Sequence, residues 1–142
     1  MVSEWGITPK QSIEAECRRR GRAQLIAGCI HILEGRSDDD DLLLALAAPA
    51  VLTVLDGREG GRNGCWPKVW AARGLLRAWD DSASKVVVEA ALDESWRVRE
   101  MVAKVVATHE IDSAVPAMVV LLKDPVARVR RAAERALLKL SA

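Results

Sequence analysis

A chain of 142 residues with a formal net charge of +1 at neutral pH has room for a substantial apolar core and no global charge bias toward nucleic acid or a membrane surface. With no Phe, no Tyr and five Trp, that core must be aliphatic, with tryptophan supplying the large pieces. The three cysteines, Cys17, Cys29 and Cys65, are odd in number and lack CxxC spacing, so they are expected to be small buried hydrophobes.

The opening Met1-Val-Ser-Glu-Trp-Gly has neither the basic region nor the apolar stretch of a signal peptide. The longest apolar run, Leu42 to Leu55, contains Pro49 and falls short of the ~20 residues of a membrane span. A soluble cytoplasmic protein is the expectation. Thr8-Pro9 is a cap followed by proline at the first helical position. From there Ile13, Cys17, Gly21, Leu25 and Cys29 recur every fourth residue, which predicts one long helix to about Glu34 with Gly21 on its packed side, or two helices broken at Gly21. Arg18, Arg19, Arg20 and Arg22 crowd its middle. They are a candidate nucleic-acid cluster or a solvated flank interleaved with Glu14 and Glu16.

Gly35-Arg-Ser ends this segment, and Ser37 with Asp38 to Asp41 brings capping oxygens and negative charge to the positive end of the next helix. Four consecutive aspartates lack the alternation, turn glycine and closing Glu of a calcium loop, so no metal is implied. Leu42 to Leu55 should be a helix kinked or split at Pro49. Asp56 to Gly64 holds four glycines in nine residues. It reads as a flexible connection, or as a weak anion-binding loop assisted by Arg58 and Arg62. No phosphate-loop or dinucleotide motif accompanies it, and no cofactor is implied.

A helix is predicted over Pro67 to Trp79, with Val69, Ala72, Leu76 and Trp79 as its core stripe. Trp66, Trp70, Arg73 and Arg77 form a second stripe rotated roughly 110° away. Helices should follow over 83–92, 95–108, 113–123 and from Val126 onward, joined by short turns. In the last helix Val129, Ala132, Ala133, Ala136, Leu137 and Leu140 point one way, and Arg128, Arg131, Arg135 and Lys139 line another side. That basic stripe is first of all a solubilising cap and secondly a nucleic-acid candidate.

Asp93-Glu-Ser-Trp-Arg-Val-Arg and Asp124-Pro-Val-Ala-Arg-Val-Arg superpose at a spacing of 31 residues, and Met101/Ala132, Val102/Ala133, Val105/Ala136 and Val106/Leu137 match behind them. Repetition at such a period means that neighbouring units stack to bury apolar faces none of them can bury alone. With an Asp six residues before an Arg in each copy, the segment resembles a HEAT repeat of the short bacterial type. The resemblance covers about residues 65 to 142, and the first 64 only in being helical. It implies an all-α fold, a short α-solenoid of seven to eight helices in antiparallel pairs, forming a single domain with a divergent part over 1–64 and regular repeats over 65–142. It also implies structural ladder roles for Asp93 with Arg99 and for Asp124 with Arg130. Gly64 and Trp70 stand where the first unit should carry its Asp and Arg.

Such solenoids serve as scaffolds, nucleic-acid binders and a few enzymes. An iron hydroxylase of this kind would need several His-Glu pairs, whereas His109-Glu110 is the single one here. A HEAT-like DNA glycosylase would use a concave surface of Trp, Asp and Arg, which Trp66, Trp70, Arg73 and Asp80 or Asp81 imitate only loosely. The leading expectation is therefore a non-catalytic module that binds a protein or peptide in its concave groove through Trp66, Trp70, Arg73, Arg97 and Arg99, since Trp and Arg dominate binding hot spots. Nucleic-acid binding by the basic faces at 18–22 and 128–139 is the alternative, an enzyme comes third, and a homo-oligomer is left open.

Overall fold

The computed structural model describes residues 9–36, 40–47 and 64–142. Among these the fold is all-α, with eight α-helices, two 3-10 turns and no strand. The helices are α1 (Pro9–Arg20), α2 (Arg22–Leu33), α3 (Asp40–Ala47), α4 (Cys65–Arg77), α5 (Ser84–Ala90), α6 (Trp96–His109), α7 (Val115–Leu121) and α8 (Ala127–Leu140). The 3-10 turns, Asp81–Ala83 and Asp112–Ala114, lead into α5 and α7. They take up the starts of the two longer helices predicted over 83–92 and 113–123. The chain divides into two compact units, Met1–Asp80 and Asp81–Ala142.

In the first unit the N-terminal helical segment is two helices. Gly21 breaks it at φ 93°, a left-handed value open to glycine at little cost, and Gly21 is exposed, not packed. The every-fourth-residue series still works on either side of the break, because Ile13, Leu25 and Cys29 are all buried. Helix α2 packs on α4, and α3 lies against both α1 and α4. Two glycines permit this closeness: a Cβ at Gly28 would collide with the Leu42 side chain, and one at Gly74 would come within 2.9 Å of both Cys29 Sγ and Leu46 Cδ2. The Ser12 hydroxyl donates to the Ala45 carbonyl, tying α1 to α3. Burial around Cys29 pushes its thiol pKa up to about 12, and all three cysteines are free thiols. The expected kink at Pro49, the glycine-rich connection before Gly64 and the start of the aspartate run lie outside the described residues.

In the second unit α5 pairs with α6, α7 pairs with α8, and α6 and α8 pack along their lengths. Both helices bury small and β-branched side chains, Val98, Val102, Ala103, Val105 and Val106 on α6 and Val129, Ala132, Ala133 and Ala136 on α8. Small residues bring helix axes close. Helix α6 ends in Glu110 at φ 51°, and the Ile111 amide donates back to the Val106 carbonyl at 3.2 Å, a left-handed C-terminal cap that usually employs glycine.

Because Gly74 sits where three helices converge, Gly74→Val should lower stability by ~1–3 kcal/mol through overpacking, read as a drop in the urea midpoint. Gly21→Ala should act through its backbone conformation alone and cost roughly 1 kcal/mol.

Candidate functional site

The repeated Asp-to-Arg spacing creates the same local device twice. Asp93 Oδ2 accepts from the Ser95 amide at 2.9 Å, and Asp124 Oδ2 accepts from the Val126 amide at 2.9 Å, so each aspartate holds the turn that launches its helix. Six residues on, the arginine folds back. Arg99 Nη1 donates to the carbonyls of Asp93 (2.9 Å) and Glu94 (3.0 Å), while Arg130 Nη1 donates to those of Asp124 (2.7 Å) and Pro125 (3.1 Å).

One contact joins the two copies. Arg99 grips the Asp124 carboxylate with Nε on Oδ1 at 2.6 Å and Nη2 on Oδ2 at 3.2 Å, a two-pronged pairing that fixes orientation as well as distance. Both side chains are largely enclosed, at 15% and 5% exposure. Burial on its own would raise the Asp124 pKa, but the Arg99 hydrogen bond, the Val126 amide and the charges of Arg99 and Arg130 outweigh it and hold the carboxyl below its ordinary value.

Beside this cluster the turns ahead of α6 and α8 bound an open cleft of about 630 Å³. Its wall includes Leu92, Val119 and Val120, which are 72%, 50% and 59% exposed, and Glu94, Lys123 and Pro125 stand at its margin. The periodicity gave no notice of it, because Val119 and Val120 sit in a short helix between Met118 and Leu121, which are buried.

The tryptophan stripe of α4 is not an open surface. Trp70 is only 5% exposed and stacks with half-buried Trp66 at a centroid separation of 6.2 Å and an interplanar angle of 27°. The reason is that α4 packs on α2 from one side and α3 from another, so its buried arc takes in Pro67, Val69, Trp70, Ala71, Ala72, Gly74 and Leu75. Leu76 and Trp79, expected in the core stripe, are only half-buried. Arg73 is half-buried and donates through Nη2 to the Leu46 carbonyl at 2.8 Å, capping the last turn of α3. Its Nε is buried without a hydrogen-bond partner, and desolvation with the neighbouring charge of Arg77 lowers its pKa. Trp70 and Arg73 are thus packing and capping groups, which corrects their assignment to an open groove. Arg99 is likewise committed to the Asp124 pair, whereas Arg97 is exposed.

The basic cluster of α1 is also largely spoken for. Arg19 donates to Glu16 at 2.8 and 2.7 Å and Arg20 at 2.5 Å, the helical i,i+3 and i,i+4 geometry. Glu16 is itself buried; its desolvation is outweighed by both arginines, and its pKa is lowered. Arg22 donates to the Trp79 carbonyl at 2.7 Å, and only Arg18 stands apart, lining a small pocket of about 260 Å³ with Cys17 and Arg77. In the last helix Arg128, Arg131, Arg135 and Lys139 are exposed. Arg128 lies over the Trp96 ring at 5.2 Å beside Arg97 at 4.6 Å and pairs with Glu100 at 3.0 Å.

Among the described residues no group of three or more His, Cys, Asp or Glu is gathered for a metal ion, and no helix is long and apolar enough to cross a membrane. No protein-family model, curated protein or solved structure matches the chain.

Two substitutions separate these roles. Trp70→Ala should cost ~3–5 kcal/mol as a large-to-small core change, measured by urea denaturation, and a loss under ~1 kcal/mol would contradict the packing role. A carboxylate whose folded pKa is depressed contributes stability that is present above its unfolded pKa and is lost as pH falls through the folded one. Wild-type protein should therefore lose stability below about pH 4 more steeply than Asp124→Asn, which cannot titrate there, in urea midpoints taken across that range.

Proposed function

We propose that the chain is a non-catalytic interaction module, its second unit a pair of stacked HEAT-like repeats that binds a protein or peptide partner. The repeat reading is supported by identical hydrogen bonds recurring 31 residues apart around Asp93 and Asp124 and by the Arg99 link between them. Among the described residues the groups whose acidity is displaced, Glu16, Cys29, Arg73 and Asp124, each owe the displacement to burial or to an ion pair.

The observation that carries the binding reading is the open cleft with Leu92, Val119 and Val120 exposed on its wall. Contiguous apolar surface of this kind, rimmed by charge, is characteristic of interaction sites. A peptide would seat apolar side chains on the two valines and Leu92, with Glu94 and Lys123 reading charged neighbours at the rim. The binding surface thus moves from the tryptophan stripe of α4 to the turn end of the second unit.

Peptides selected from a display library against the full chain should bind wild-type protein and lose at least about tenfold in affinity, ~1.4 kcal/mol, on Val119→Lys or Val120→Glu. The melting temperature should hardly change, because both side chains face solvent. Selected peptides that bind both variants undiminished would reject the cleft as the site.

A further inference from the structure

The stripes of α6 and α8 meet in a single surface. At the 31-residue offset Arg97, Glu100 and Lys104 of α6 correspond to Arg128, Arg131 and Arg135 of α8, and the two helices pack along their lengths. Arg128 fastens the stripes together by reaching Glu100 and lying over Trp96. With Lys139 the surface holds six cations, Arg97, Lys104, Arg128, Arg131, Arg135 and Lys139, against two carboxylates, Glu100 and, at the edge of the α8 stripe, Glu134. A chain of net charge +1 has therefore collected a strong positive excess on one face. Glu100 is occupied by Arg128 at 3.0 Å and Lys104 at 3.9 Å. Arg131, Arg135 and Lys139 have no ion-pair partner among the described residues and follow one another every ~6 Å along the helix.

A cap that only needed to be soluble would mix both signs. Here cations outnumber carboxylates six to two, and Arg131, Arg135 and Lys139 follow one ridge of α8.

We propose that this α6/α8 face binds the phosphate backbone of a nucleic-acid duplex without regard to sequence. Three features favour a duplex over an acidic protein or a single strand. First, the face offers one exposed large apolar side chain, Leu138, a turn beyond Arg135, and no apolar cluster of the kind protein interfaces depend on, whereas Leu92, Val115, Val119, Val120 and Leu122 are exposed on or beside α5 and α7. Second, the aromatic group present, Trp96, is already engaged by two guanidinium groups, so it offers no ready stacking platform of the sort single strands use. Third, four of the six cations are arginines, whose planar fork matches phosphate oxygens. The face is independent of the peptide cleft, which is lined by different residues.

The test uses the full chain and a labelled 20-base-pair DNA duplex in fluorescence anisotropy. If about four phosphates are neutralised, log affinity should fall with log salt at a slope near −3.6, a loss of roughly 10²-fold between ~50 and ~200 mM, equal for two unrelated sequences. Arg131→Glu with Arg135→Glu should abolish binding at ~50 mM salt while the circular dichroism spectrum and melting temperature stay at wild-type values, since both side chains are exposed. Absence of binding by the wild-type chain at ~50 mM salt overturns the proposal. So does binding that survives the double reversal, or polyglutamate of matched charge binding as tightly as the duplex.

Discussion

The second unit depends on a single arginine held by two turns at once. Arg99 is braced by the carbonyls of Asp93 and Glu94 in its own turn and grips the Asp124 carboxylate in the next. Asp124 in turn orients the amide of Val126 and lends its carbonyl to Arg130. The start of α8, its separation from α6 and the lining of the nearby cleft all follow from that chain of contacts. An ion pair of this kind must first offset the desolvation of both partners. The backbone hydrogen bonds to Arg99 and Asp124 are what make enclosure tolerable, because they satisfy donors and acceptors that the pair itself leaves over.

Much of this was legible in the sequence because the device needs fixed chemistry at fixed spacing: an aspartate to hold the turn, an arginine six residues later to return to it, and an apolar helix face behind. Two copies 31 residues apart expose the pattern, and the order of the helices in the second unit follows. Helix α1 was legible from its Thr8-Pro9 start and from the apolar residues recurring every fourth position. The enclosure of Glu16, read as part of a solvated flank, was not, because burial depends on which helices cover it. The break at Gly21 was one of two readings, and glycine's left-handed φ was invisible to a periodicity that stays in phase across it.

Trp70 shows where one-dimensional reasoning fails. A stripe 110° from the presumed core is exposed only if the helix packs on one side. Helix α4 packs on two, so the second stripe is buried as well and Arg73 becomes a cap for α3. The cleft failed for the opposite reason: Val119 and Val120 look like core residues by composition, yet a seven-residue helix leaves them facing solvent. Charged side chains were equally ambiguous until their partners were known. Arg19 and Arg20 proved to be paired, whereas the α8 stripe points outward. The surface left open in this protein is what remains after the packing and pairing requirements have been met.

The most direct test of the central claim is a double-mutant cycle on Arg99→Met and Asp124→Asn, with unfolding free energies from urea denaturation at neutral pH. A coupling energy within the ~0.5–3 kcal/mol found for contacting residues of one network, at the upper part of that range, is the predicted result. Strictly additive losses, with coupling near zero, would show that the two turns stand without each other and would contradict the account.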